Sequence, residues 1–204
     1  RSLKAVSGEL KGTQFAFRKK KAHIDVTCPW GNQLRCHQPG EQFGPIKLGM
    51  PYVEFDVPKG TADAIARFYG QIFDATTAVE KIAGARAARV AVGYRQDLIF
   101  REAKTPIPDY DGHHFQVYVG NFSGPHAKLL ERGLITQESN QHQYRFRDIV
   151  DLESGEKVYE IEHEIRSMTH PIYGRALINR NPAQTNNAFA SGYDERPWAE
   201  PYSA

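Results

Sequence analysis

The alternation of apolar and polar residues changes its period along the chain, and each change predicts an element of secondary structure. Residues 52–57 (YVEFDV) alternate as a half-buried strand does, whereas residues 61–73 space their apolar side chains as an amphipathic helix does, with Thr61 as its expected N-cap. Three more strands are predicted after this helix, at residues 77–82, 87–92 and 96–102. Residues 48–103 are therefore predicted to form one βαβββ unit.

The same order of elements recurs later in the chain. Residues 114–119 (HFQVYV) repeat the strand pattern of residues 52–57 after a shift of 62 positions. The helix that follows is expected to turn Leu129 and Leu130 inward. Three further strands are predicted, at residues 135–138, 143–150 and 157–166. Residues 112–167 are thus predicted to form a second βαβββ unit.

The segments outside the repeat have different patterns. Residues 1–21 are rich in Lys and Arg, which is typical either of an anion-binding arm or of a solvated strand face, and we favour the strand face. Residues 23–27 and 33–37 alternate as strands around a turn, and the Pro- and Gly-rich residues 38–45 indicate a linker. The predicted organisation is an N-terminal part, a central domain and a C-terminal arm that supports a homodimer, over residues 1–45, 46–170 and 171–204.

Composition narrows the class of function. The chain has 204 residues, of which 40% are hydrophobic, and its 26 Lys and Arg against 24 Asp and Glu are too balanced for a dedicated nucleic-acid-binding surface. No apolar run reaches the ~20 residues of a membrane-spanning helix. Cys28 and Cys36 have neither redox-pair nor zinc-ribbon spacing, so they are expected to be free thiols, buried or half-buried, in a cytoplasmic protein. A small-molecule partner is the expectation, without nucleic acid or membrane.

Four short sequence phrases carry a resemblance to a known family. They are GMPYVEF, ARFY, GHHFQVYV and YEIE, which begin at residues 49, 66, 112 and 159. Together with the tandem βαβββ order, they resemble the vicinal oxygen chelate superfamily, which includes glyoxalase I, extradiol dioxygenases and bleomycin- or fosfomycin-resistance proteins. The resemblance implies an α+β fold in which tandem βαβββ modules form an open, cup-shaped mixed sheet with helices outside. Residues 1–45 similarly resemble the last strands of an incomplete unit of this kind.

The resemblance also implies a metal site. In that superfamily a His from the first strand and a Glu from the last strand of a unit converge on one divalent cation, and His114 and Glu160 occupy these positions in the second unit. Tyr52 stands where the first unit would supply its His. If Tyr52 faces into the cup, Glu54 does too, which makes Glu54 a third candidate ligand. Such ligands suit Fe(II), with Mn(II), Zn(II) or Ni(II) as alternatives. Further candidates for the third ligand are Tyr52 itself, Gln96 and Gln143.

The strand around Glu160 also has a purely structural interpretation. Alternation places Glu162 and Glu164 on the side of Glu160 and turns His163 to the other side, where Ile161 and Ile165 would form a buried face. Carboxylates on the first side would then need cationic partners. The candidates for those partners are Arg145, Arg147 and Arg166.

The remaining candidates concern chemistry and substrate. His170 and Tyr118 are the expected proton-transfer residues, although the segment around His170 is also typical of a chain that packs across a domain surface. Candidate substrate-binding residues are Tyr52, Gln143, Tyr144 and Arg175. The resemblance implies a metalloenzyme acting on a small substrate with adjacent oxygens, extradiol-dioxygenase-like or glyoxalase-like. The alternative is a metal-free protein that, like bleomycin-resistance proteins, sequesters a ligand in an aromatic pocket formed by residues such as Tyr52, Phe55, Tyr118 and Tyr144.

Overall fold

The structure is a computed structural model that describes residues 2–46, 49–170 and 172–173. The chain divides into two compact units, and the boundary along the sequence falls between Gly49 and Met50. No helix among the described residues is long and apolar enough to cross a membrane. Apart from residues 172–173, the predicted C-terminal arm lies outside the described residues.

The first compact unit, which ends at Gly49, is a small antiparallel sheet that follows a short helix. Its elements are α1 (Ser2–Val6), β1 (Ala16–Lys19), β2 (His23–Thr27) and β3 (Gln33–His37), followed by a 3-10 turn at Glu41–Phe43, and the strand order is β1-β2-β3. Val26 is buried, whereas Trp30 is exposed. Both cysteines are free thiols, as predicted, but the expectation of burial is wrong for Cys36, because β3 is an edge strand whose first four residues are all exposed.

The second compact unit contains both βαβββ units, which have the same topology. The first copy runs β4 (Tyr52–Val57), α2 (Ala62–Phe73), β5 (Thr77–Ile82), β6 (Ala85–Gly93), β7 (Gln96–Glu102). The second runs β8 (His114–Val119), α3 (Ser123–Glu131), β9 (Ile135–Asn140), β10 (Gln143–Val150), β11 (Lys157–Ser167). The sheet orders are β4-β7-β6-β5 and β8-β11-β10-β9, with the first and last strands parallel and the other pairs antiparallel. The predicted α+β class and tandem βαβββ order are therefore confirmed.

Both βαβββ units share one hydrophobic core. Helix α2 packs against strands of its own sheet and against β10 of the other sheet. The ring of Phe68 lies 5.9 Å from that of Phe146, and the ring of Tyr69 lies 5.4 Å from that of Phe100. Full burial of one such aromatic side chain stabilises a fold by about 2 to 3 kcal/mol. This shared core holds the two units in one arrangement and so fixes the positions of their facing side chains.

Two details of the helices differ from the sequence prediction. Thr61 does not cap α2 with its side chain; the backbone N–H of Ala62 instead donates to a carboxylate oxygen of Glu102, 3.2 Å away, on the last strand of the unit. A carboxylate there complements the positive end of the helix dipole. On α3, Leu129 is fully buried but Leu130 is 57% exposed, because consecutive helical residues point about 100° apart and α3 buries only a narrow stripe.

Candidate functional site

The sheet β8-β11-β10-β9 has two chemically different faces, and the side chains of β11 point alternately to one and to the other. His163 is fully buried on the core side with Ile161 and Ile165, as the alternation predicted. Its other side belongs to what we call the polar face, which consists of Gln143, Arg145, Glu160, Glu162, Glu164, Arg166, His114, Gln116 and Tyr118. The candidate metal ligands of the second unit therefore lie on the polar face, and His163 lies on the opposite side of the same strand.

Arginines neutralise the carboxylates of the polar face. Arg145 binds Glu162 at 2.5 Å and also pairs with Glu164. Arg166 binds the other oxygen of Glu164 at 2.6 Å and donates from Nε to the amide oxygen of Gln143 at 2.8 Å. The side chain of Glu164 is only 4% exposed, and a buried carboxylate needs such charged hydrogen-bond donors to offset its lost hydration.

Glu160 and His114 do not lie side by side. Glu160 accepts hydrogen bonds from Lys157 at 2.9 Å and Arg147 at 3.5 Å, and the bond from Lys157 is the main cause that lowers the pKa of Glu160. His114 is exposed and lies beside Glu162 on the parallel strand, one alternate position away from Glu160. Strand register therefore makes Glu162 the carboxylate nearest to His114, and that carboxylate is held by Arg145.

The third predicted ligand lies in the other sheet. Glu54 binds Nε of Arg101 at 2.7 Å, and the same guanidinium binds Asp56 at 2.6 Å. Tyr52 stands beside Asp97 on the parallel strand β7. Within the described residues, no group of three or more His, Cys, Asp or Glu is placed to hold a metal ion. The residues present thus do not fit a divalent cation, because the candidate carboxylates are already paired with Arg or Lys.

The two residues predicted for proton transfer lie close together. The rings of Tyr118 and His170 are 6.3 Å apart, and Arg166 donates to the hydroxyl of Tyr118 at 3.4 Å. Arg166 also holds Gln143, so three predicted site residues share one end of the polar face. Burial, followed by the charges of Arg166 and His142, lowers the pKa of His170 to about 4. His170 is therefore neutral at neutral pH.

Two predicted substrate-binding residues lie elsewhere. Tyr144 is buried on the core side of β10, with its ring 5.0 Å from both Phe122 and His126. Among the described residues its hydroxyl has no hydrogen-bond partner, and burial raises its pKa well above the usual value. Tyr144 thus does not reach the polar face. Arg175 lies outside the described residues.

A cavity of about 230 Å³ lies between the two βαβββ units. The first unit contributes side chains from α2, β6 and β7, and the second contributes side chains from β8 and β11. The main lining residues are Tyr69, Phe73, Val90, Leu98, Phe115, Val117, His163 and Ile165. Tyr118 also lines the cavity, whereas Tyr52, Phe55 and Tyr144 are not among the described residues that line it. Sequence reasoning missed Tyr69 and His163 as site residues; the available signal was a histidine on an otherwise apolar strand face.

Tyr69 and His163 form a buried hydrogen-bonded pair at this cavity. The hydroxyl of Tyr69 lies 2.5 Å from Nε2 of His163, and Nδ1 of His163 lies 2.7 Å from the carbonyl oxygen of Ile161. A carbonyl only accepts, so Nδ1 carries the ring proton, Nε2 accepts, and Tyr69 donates. Burial lowers the pKa of His163 to about 3 and raises the pKa of Tyr69 well above its usual value. Both side chains are neutral at physiological pH.

The known proteins to which this chain is similar are solved structures. No family model matches the chain. No curated protein matches it either. A glyoxalase family protein from Bacillus anthracis is similar at 17% identity and a TM-score of 0.44, over 59% of this chain and 94% of that one. The fosfomycin resistance protein FosX from Mesorhizobium loti is similar at 12% identity and a TM-score of 0.43, over 59% and 92%.

A lactoylglutathione lyase from Agrobacterium tumefaciens is also similar, at 17% identity and a TM-score of 0.39, over 60% of this chain and 95% of that one. Glyoxalases and a fosfomycin-resistance protein are among the kinds of protein that the sequence resembles. At these identities the similarity concerns the fold alone.

Proposed function

We propose that this chain is a protein of the vicinal oxygen chelate type that binds a small, largely apolar molecule between its two βαβββ units without using a divalent metal ion. The observation that carries the proposal is the cavity of about 230 Å³, which is lined by side chains of both units. An apolar cavity of roughly 150 Å³ holds benzene, so this one has room for a molecule of one or two rings.

The charges on the polar face support the metal-free part of the proposal. Four carboxylates, those of Asp148, Glu160, Glu162 and Glu164, face an equal number of cations, which are Arg145, Arg147, Lys157 and Arg166. A divalent cation binds where carboxylates outnumber cationic side chains and are free to ligate. To ligate a metal here, a carboxylate has to leave a guanidinium or ammonium group, and the displaced cation then lies next to the metal ion.

The metalloenzyme predicted from the sequence is the competing function. The observation in its favour is that His114 lies directly beside Glu162, so that one imidazole and one carboxylate share the polar face. In that function the metal would polarise a substrate that chelates it through two adjacent oxygens. The candidate ligands for it remain His114 with Glu160 or Glu162, and Glu54 would have to leave Arg101 to join them.

Elemental analysis separates the two functions. Protein purified anaerobically without chelator, then incubated with Fe(II), Mn(II), Zn(II) or Ni(II) and desalted, should retain far less than one metal ion per chain. The variants His114→Ala and Glu160→Gln should give the same metal content as the parent. Near-stoichiometric metal that is lost in either variant would overturn the proposal and would justify a screen of catechols and glyoxalase substrates.

Calorimetric titration with toluene tests the cavity itself. Val117→Phe and Val92→Phe each fill part of the cavity and should weaken toluene binding at least tenfold. Val92 lies on the core side of β6 but is only partly buried, so its replacement tests the idea even if the Val117 variant is unstable. The matched control is Leu130→Phe on the exposed side of α3. Equal affinity in all four proteins, or no binding to the parent chain, would contradict the proposal.

A further inference from the structure

We infer that the cavity selects ligands that carry a hydroxyl or N–H group, because the Tyr69–His163 pair presents to it a hydrogen-bond acceptor and no donor. Both residues line the cavity, and both are almost completely buried. The inference rests on the proposed function, since it names the class of molecule that the same cavity takes.

The positions of the protons decide which atoms of Tyr69 and His163 donate a hydrogen bond and which accept one. His163 gives its one ring N–H to the carbonyl of Ile161 and uses its other nitrogen to accept from Tyr69. The imidazole therefore has no ring nitrogen left to form a hydrogen bond with a ligand. Tyr69 has spent its only proton on His163, but its oxygen keeps lone-pair capacity for one more hydrogen. A ligand that reaches this oxygen must donate.

Packing prevents the pair from reversing its direction. The imidazole of His163 stacks on the ring of Phe146 with centroids 3.9 Å apart, and it meets the ring of Phe115 edge-on at 4.6 Å. A ring flip would move Nδ1 away from the carbonyl of Ile161 and leave both groups unpaired in the core. The proton of Tyr69 is thus fixed on the side of His163, and the series of hydrogen bonds strengthens the tyrosine oxygen as an acceptor.

The other side chains of the cavity complete the ligand class. Its walls are largely apolar, with Phe73, Leu98 and Ile165 among them. Of the other polar residues on the lining, Tyr118 turns its hydroxyl to Arg166 on the polar face, and the side-chain oxygen of Asn121 accepts from the backbone N–H of Gly124, so Tyr69 supplies the acceptor for a donating ligand. The molecule that fits is therefore a one- or two-ring hydrocarbon frame with one hydroxyl or ring N–H, such as a phenol, an alicyclic alcohol or an indole.

Phenol and toluene form a matched pair for the test, since they differ only by a hydroxyl in place of a methyl group. Calorimetric titration of the parent chain should give phenol about a five- to tenfold tighter affinity, as one hydrogen bond to the pair contributes. In the double variant Tyr69→Phe with His163→Phe, which removes both the oxygen and the imidazole nitrogen that would otherwise be freed to accept, the order should reverse, because the phenol hydroxyl is then buried without a partner. Tyr118→Phe removes a hydroxyl that is turned to Arg166 on the polar face, and it should keep the order of the parent.

The outcomes separate this inference from the proposed function. Toluene binding equal to or tighter than phenol binding in the parent chain overturns the inference and leaves the proposed function standing. No binding of either compound removes both. Reversal in Tyr118→Phe, or its absence in the double variant Tyr69→Phe with His163→Phe, also overturns the inference. Nitrogen-15 NMR of His163 in the parent chain avoids any folding defect: phenol, but not toluene, should shift the Nε2 resonance, and equal shifts would refute the assignment.

Discussion

Acidification from pH 7 to pH 5 should cost the folded chain about 2 kcal/mol through His163 alone. Burial lowers the pKa of this imidazole to about 3, whereas an unfolded histidine titrates near 6.5. Between those two values the unfolded chain binds a proton that the folded chain does not. The free energy of unfolding therefore falls by about 1.4 kcal/mol for each unit of pH below 6.5 and becomes independent of this group below pH 3. Above pH 7 the contribution of His163 is fully present.

Urea unfolding at pH 7, 6 and 5, followed by circular dichroism, measures this loss. The informative variant is the double substitution Tyr69→Phe with His163→Phe, which keeps two rings in place and leaves no hydroxyl without its partner. The parent should lose about 2 kcal/mol more than the variant between pH 7 and pH 5, which is a difference of about 1 M in urea midpoint at a typical slope. His170, also buried with a lowered pKa, contributes equally in both proteins.

The matched control removes a histidine from the surface. His114→Gln changes an exposed residue of β8 and should follow the pH dependence of the parent. If the double variant loses as much stability on acidification as the parent does, His163 is not the buried neutral group that its contacts describe, and the reasoning is refuted.

Three other changes test the fold and its assembly. Glu102→Leu removes the acceptor for the N–H of Ala62 and should lower the free energy of unfolding by about 1 kcal/mol in urea. Arg145→Met leaves the carboxylates of the polar face short of one cation and should cost about 3 kcal/mol, more at low salt than at high salt if the pairing is electrostatic. Phe68→Ala should cost about 4 kcal/mol, whereas the same change at the exposed Phe17 should cost less than about 0.5 kcal/mol. Sedimentation velocity should show a homodimer, as the aromatic residues of the predicted arm suggest, and a monomer would contradict that expectation.

Several strands of the second compact unit were predictable from the alternation of apolar and polar residues in their sequence. Tyr52–Val57, His114–Val119 and Gln143–Val150 have the predicted ends, since period-two alternation stops where the strand stops. The repeat of this pattern then gave the topology. The N-terminal helix Ser2–Val6 was not predicted, because five residues without a buried side chain carry no periodic signal.

The candidate site was less predictable because it depends on contacts between distant residues. Tyr69 and His163 are 94 positions apart, and the cap of α2 comes from a carboxylate 40 positions away. Neither pairing is visible in a local pattern. Strand alternation did place His163 on the buried side of β11, but only the packing of α2 against the second sheet supplies its partner.

A register shift between β10 and β11 shows why only part of the surroundings of Glu160 followed from period-two alternation, which had already offered Arg147 as a partner. Strict alternation from Gln143 places Arg147 on the polar face and Asp148 in the core. The register shifts between Phe146 and Asp148, so Asp148 lies opposite Glu160 and Ile149 becomes fully buried. Lys157 then lies 3.6 Å from Asp148 and 2.9 Å from Glu160. At this shift Arg147 and Asp148, two successive residues of β10, both lie on the side of Glu160, and the carboxylate that the resemblance assigned to a metal is held by Lys157 and Arg147.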